Sequence, residues 1–243
     1  MTTNRLSRII ALFAGTLALS ACGNLVPFGK DTSASSTRAA SAPARTASAP
    51  RRTSSAPQVA MPRPQDVACI ADLTRAGADF AALPDRYDGP GCATLGTVQL
   101  SGLTGDASQF GISNIGPVQC RTAESFSAWA RFAVDRAARQ LLGSPLARIE
   151  TMGSYSCRNI AGSNRRSAHA TAGAIDVSGF ILEDGRRITL SQDWHGGTPA
   201  EREFLRVVHS SACKRFGTVL GPDYNRAHED HFHLEGTGAS FCR

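Results

Sequence analysis

The segment AHEDHFHLEG, residues 227–236, holds His228, His231 and His233, half of the chain's six histidines, with acidic side chains set among them. Read as a strand, it places His231 and His233 on one face and turns Phe232 and Leu234 into the core. A second stretch with chemical potential is SAHATAGAIDV, Ser167 to Val177. Six residues separate His169 from Asp176, enough for a tight turn and the start of a strand, so the two side chains can converge. In that strand Ala174, Asp176 and Ser178 share one face. An acid between Ile175 and Val177 is costly to desolvate unless something compensates its charge, and a bound cation would do so. Three protein ligands plus an open water position make a catalytic zinc site, where the metal lowers the pKa of its water to about 7. The same residues also suit a structural metal, an opportunistic copper or nickel site, or surface histidines with no ligand. HxH alone does not choose among these.

These side chains need elements to hold them. Residues 123–142 carry Phe126, Trp129, Ala130, Ala133, Ala137 and Leu141 at helical spacing, and the run stops at Gly143. Trp129 on that stripe reads as core. In TPAE, Thr198 is an N-cap, Pro199 takes the first helical position and Glu201 closes a capping box, which predicts a helix to about Phe216 with Gly217 as its stop. Between the helices, ARIETMGSYSC, GAIDVSGFIL and RRITL read as strands, the last two joined across the hairpin signal EDGR. The pattern is α+β, an antiparallel sheet flanked by helices. His195 and His209 have no partners at ligand spacing and read as structural or surface residues. Arg165 and Arg166 stand close enough to the His169 motif to clamp a substrate carboxylate, or form a solvated loop pair.

The amino-terminal third has a different composition. Arg5 and Arg8 precede an apolar run, Ile9 to Leu19, too short to span a bilayer and shaped like a secretory signal. LSAC, Leu19 to Cys22, resembles the lipobox of bacterial lipoproteins. That resemblance implies a signal peptide over residues 1–21 and a lipidated Cys22 as the mature first residue. Gly23 follows in place of the aspartate associated with inner-membrane retention, which points to the periplasmic face of a Gram-negative outer membrane. Several acyl chains, at about 0.8 kcal/mol per buried methylene, make such an anchor effectively permanent. Residues 22–65 then form an Ala/Ser/Pro/Arg-rich tether with almost nothing large and apolar to bury, expected to be disordered and to reach on the order of 35 Å. Eight of the 26 basic residues lie before Asp66 against a single acid, Asp31, which leaves 18 bases and 19 acids for residues 66–243. The pI near 9.2 therefore belongs to the tether. A near-neutral domain on an exported chain argues against nucleic acid as a partner. The tether's arginines either meet anionic envelope polymers or keep it solvated.

Residues 66–243 suffice for one domain with a proper core. Apart from Cys22 they hold six cysteines, Cys69, Cys92, Cys120, Cys157, Cys213 and Cys242, an even count that reads as three disulfides in an oxidising compartment. No paired CxxC assigns them to metal. Fifteen connectivities are possible, and the short loop it closes favours Cys69 with Cys92.

The pattern SxHxxxxxxD followed by HxxHxH resembles the LAS metallopeptidases, the group of lysostaphin, D-Ala-D-Ala peptidases and sonic hedgehog, and most of all the penicillin-insensitive murein endopeptidases. The wider sequence, with GSYSCR, FGTVLGPDYN and HEDHFHLEG, is similar to the bacterial extensin-like C-terminal domain family over nearly all of residues 66–243. The resemblance implies an LAS-like fold with one zinc ion on His169, Asp176 and His233. It implies His231 as the base or transition-state stabiliser, His228 as a further imidazole lining the cleft, and Ser167 as a support of the ligand loop. Asp230 occupies the position of a glutamate in the D-Ala-D-Ala branch and is a rival base, although in a strict strand it points away from His233. The family glycine three residues after the first ligand is Ala172 here, with Gly173 next. The expectation is a turn shifted by one place. Two functions follow: a zinc peptidase cutting amide bonds in peptidoglycan stem peptides or cross-links, or a non-catalytic wall-binding or scaffolding module on the same fold.

Overall fold

The computed structural model describes residues 63–236 and 240–243. The export segment, Cys22 and the tether up to residue 62 lie outside the described residues. Helix α1 (Pro64–Arg75) comes first, with proline in its opening turn. Strand β1 (Asp79–Ala82), the hairpin β2 (Arg86–Gly89) and β3 (Cys92–Thr94), then β4 (Thr97–Thr104), β5 (Gln109–Ser113) and β6 (Val118–Gln119) lead into α2 (Cys120–Trp129). Strands β7 (Leu146–Gly153), β8 (Ala174–Leu182) and β9 (Arg187–Thr189) are followed by α3 (Leu190–Gly196) and α4 (Pro199–Ala212). Strands β10 (Thr218–Leu220), β11 (Phe232–Glu235) and β12 (Phe241–Cys242) close the domain.

One large sheet runs β1-β4-β5-β7-β8-β11-β10-β12, with β6 beside β4 and β9 beside β8, while β2 and β3 pair separately. The fold is α+β. Its pairings are mostly antiparallel as expected, but β5 with β7 and β10 with β12 are parallel. A parallel pair needs a crossover, and α2 supplies it between β5 and β7. The EDGR hairpin joins β8 to β9 as read from the sequence. No helix among the described residues is long and apolar enough to cross a membrane.

Helix α2 starts at Cys120, three residues before the expected boundary, and continues through π-helical turns at Ala130–Asp135 and Ala138–Leu142. Gly143 ends it in the left-handed region at φ 71°, where glycine carries no Cβ penalty. The apolar stripe faces inward. Trp129 is fully buried among Phe126, Phe180 and Phe216, and its indole N–H donates to the Val208 carbonyl at 2.9 Å. Burying a side chain of this kind contributes about 1.5–3 kcal/mol. Helix α4 has the full capping box of Thr198 and Glu201 but ends at Ala212, short of Phe216. Cys213, its C-cap, is bonded to Cys242, and the Gly217 amide already donates to the Glu235 carbonyl, so the chain is turning into β10.

Three disulfides form, Cys69–Cys120, Cys92–Cys157 and Cys213–Cys242. This overturns the expected Cys69–Cys92 pair. Loop length governs what a cross-link removes from the unfolded chain, not which cysteines the fold brings together. Here α1 packs on α2 and sets Cys69 against the first residue of α2, while the β2–β3 hairpin lies against the segment after β7.

Candidate metal centre

Two neighbouring strands and one turn deliver the three donors. Ser167 accepts from the His169 amide and caps a 3-10 turn, Ala168–Thr171, that brings His169 to 2% exposure. Asp176 on β8 and His233 on β11 are register partners, so adjacent strands place them side by side. His233 Nδ1 lies 2.8 Å from Asp176 Oδ1, His169 Nε2 lies 3.1 Å from Asp176 Oδ2, and the two ring nitrogens are 3.1 Å apart. All three donor atoms fall within 4.8 Å of one another. Phe232 and Leu234 alternate with the histidines and are fully buried behind them.

The turn has not shifted. Ala172 itself takes the left-handed conformation, φ 56° and ψ 27°, at the family glycine position, and Gly173 does not have positive φ. The Ala172 amide bonds back to His169, Gly173 bonds to Ala168, and the Ala172 carbonyl accepts from Gln119.

His231 stands just before β11, yet its Nε2 approaches Asp176 Oδ1 at 3.6 Å, on the same side as His233. Its Nδ1 is 2.7 Å from Asp230 Oδ1. His228 ends a second 3-10 turn, Arg226–His228, where Asn225 Oδ1 holds its Nδ1 at 2.7 Å. Its ring centroid is 5.2 Å from that of His231, 5.7 Å from that of His233 and 5.6 Å from that of the exposed Tyr224.

Two orienting groups escaped the sequence reading. Glu235 Oε1 lies 3.0 Å from His233 Nε2, and the Ser154 carbonyl lies 3.2 Å from His169 Nδ1. Strand alternation would have found Glu235, two residues after His233 on the same face. A main-chain carbonyl leaves no trace in residue type.

The arginines part company. The guanidinium of Arg166 donates to the Pro90 carbonyl and to Asn159 Oδ1, tying the β2–β3 turn to the loop before the 3-10 turn. Arg165 is exposed. His195 sits on the surface 3.8 Å from Asp223. His209 packs between Trp194 and Phe232. Its nearby sulfurs, Cys213 and Cys242, are joined to each other and so are not available as thiolates.

Burial drives the Asp176 carboxyl upward, but hydrogen bonds from His169 and His233 outweigh it and hold the group below the usual carboxylate range. For His233, burial opposes the charge while Asp176 and Glu235 favour it, and the balance raises the imidazole to about 9. His228 is pushed down to about 4, first by burial and then by the neighbouring His231 and His233. Two imidazoles and one buried carboxylate, converging and needing charge compensation, fit a divalent ion of zinc's ligand preference. Nε2 of His169, a carboxylate oxygen of Asp176 and Nδ1 of His233 would hold it.

The family model for the extensin-like protein C-terminus matches residues 67–243. No curated protein and no solved structure matches the chain.

Proposed function

The chain belongs to the extensin-like protein C-terminus family, and from that premise we propose that it is a zinc-dependent peptidase of the LAS type, hydrolysing amide bonds in peptidoglycan stem peptides or cross-links. The observation that carries this reading is the convergence of His169, Asp176 and His233 within 4.8 Å, with His231 at the edge of the set. A zinc ion held there would supply Lewis acidity toward a carbonyl and lower the pKa of a water to about 7. The protein supplies the rest. His231 Nε2, 3.6 Å from Asp176 Oδ1, takes a proton from the attacking water and returns it to the leaving amine. Asp230 holds the opposite ring nitrogen and turns Nε2 inward. His228, uncharged near neutral pH, offers a hydrogen bond to the substrate without repelling a cation. Three nearly buried imidazoles, His169, His231 and His233, make electrostatic interactions at the reacting centre stronger than in water.

A second reading, a non-catalytic wall-binding module, draws on the same network. Asp176 already lies within hydrogen-bonding distance of both His169 and His233, so the three side chains compensate one another with no turnover required. Muropeptide mass spectrometry of sacculi incubated with the protein, with and without chelator, decides between them. The peptidase reading expects new peptide ends that disappear with chelator. Zinc-loaded protein that sediments with sacculi of several stem-peptide types and releases nothing from any of them establishes the module instead.

We propose the same compartment for either activity. A lipid on Cys22 would anchor the protein at the periplasmic face of the outer membrane, and a tether of some forty residues would let the domain reach the wall.

A further inference from the structure

The two imidazoles of the centre are oriented by different means. His169 turns Nε2 toward Asp176 because its Nδ1 faces the Ser154 carbonyl, a main-chain group that no substitution removes. His233 uses the other nitrogen. Its Nδ1 faces Asp176 at 2.8 Å while Nε2 faces Glu235 Oε1 at 3.0 Å. A neutral imidazole carries one N–H, and the partner of that N–H decides which nitrogen keeps its lone pair. A carboxylate only accepts, and both ring nitrogens face one here, so with an ion held at Nδ1 and Asp176 the single hydrogen of the neutral ring would lie on Nε2, where Glu235 receives it, leaving Nδ1 free to ligate.

We propose that Glu235 is the positioning residue of the metal centre, fixing the tautomer and ring orientation of His233 so that Nδ1 faces the ion. The inference rests on the zinc reading above and deepens it. Glu235 is itself held in place. It lies on β11 between β10 and β8, in register with Thr218 and Ala174. At 26% side-chain exposure it is more shielded than Asp230, at 50%, which plays the corresponding part for His231. An acid that merely ended a strand would have no reason to meet the far nitrogen of a ligand ring.

Competition with a chromophoric chelator gives the zinc affinity of the wild-type protein, Glu235→Ala and Glu235→Gln. Loss of such an orienting partner typically weakens metal affinity 10–100-fold, and that is the loss expected for Glu235→Ala. The glutamine oxygen accepts the same N–H, so Glu235→Gln is expected to stay within a few-fold of wild type. Thermal melts of the metal-free proteins show whether each variant folds, and nitrogen NMR of the zinc-loaded forms reads the His233 tautomer directly. Unchanged zinc affinity in a folded Glu235→Ala overturns the assignment, as does a glutamine variant as weak as the alanine one. Wild-type protein that takes up no zinc overturns the underlying metal reading as well, and so is distinguishable from failure of the positioning role alone.

Discussion

Asp230 and His231 are adjacent in sequence and hydrogen bonded to each other, the carboxylate oxygen 2.7 Å from Nδ1, with the opposite ring nitrogen 3.6 Å from Asp176. This places the two candidate bases of the proposed mechanism in series. His231 is 8% exposed and touches the donor set, whereas the half-exposed Asp230 lies behind it and acts through the ring. His231→Ala should retain zinc and still sediment with sacculi while turnover falls roughly 100-fold to 10,000-fold. Asp230→Asn should lose much less, on the order of 10-fold, because solvent at an exposed carboxylate can take over part of its role. A dead Asp230→Asn beside an active His231→Ala would assign the base to Asp230.

How far sequence alone reached depended on the range of the physics involved. Strand alternation and turn length are local, so the convergence of His169 with Asp176 and the burial of Phe232 and Leu234 behind the histidines could be read directly. The capping box of α4 is equally local. Disulfide pairing is not. Cys69 meets Cys120 only because α1 packs on α2, a tertiary fact invisible to spacing. Strands β1 to β6 were not anticipated either. β1 has three exposed residues in four and β3 only three residues, too little periodicity to register. Sequence alone points to Gly173 for the αL residue, because glycine carries no penalty there, yet the buried Ala172 adopts that conformation.

In the metal-free protein, stability should depend on pH through the His233–Asp176 pair. His233 rises from 6.5 to about 9, so its contribution is fully present below about pH 6.5 and is lost as pH climbs through 9. Asp176 is depressed, so its contribution is present above about 3.8 and disappears as pH falls through its lower native value. Metal-free protein is therefore expected to melt at progressively lower temperature between pH 6.5 and 9. Zinc requires the unprotonated Nδ1, so binding near pH 7 should release a proton, measurable as buffer-dependent heat in calorimetry. A melting temperature flat from pH 6 to 9, with no proton released, would contradict the pairing.

If Cys22 is acylated, Cys22→Ser should move the protein from the outer-membrane fraction to the soluble periplasm, leaving the activity of the domain intact. An unchanged distribution on fractionation would remove the basis for the lipid anchor.

Ala172 tests the turn that carries His169. A non-glycine residue in the left-handed region costs about 1–2 kcal/mol, which suggests that glycine would be preferred. Two effects oppose that. Glycine loses about 0.4–1 kcal/mol through the greater freedom of the unfolded chain, and the Ala172 methyl, with none of its surface exposed, contributes about 0.8 kcal/mol by burial. These magnitudes nearly cancel, so Ala172→Gly should change stability by less than about 1 kcal/mol. Ala172→Val adds a β-branch where φ is 56° and extra volume where there is no exposure, and should cost roughly 2–4 kcal/mol. Because the Ala172 amide bonds back to the His169 carbonyl, distortion at this residue should also displace the first ligand and weaken zinc uptake, while Ala172→Gly keeps it. Denaturant melts and zinc titration of both variants decide the matter. A valine variant as stable as wild type, with full zinc affinity, would show that Ala172 does not hold the left-handed conformation.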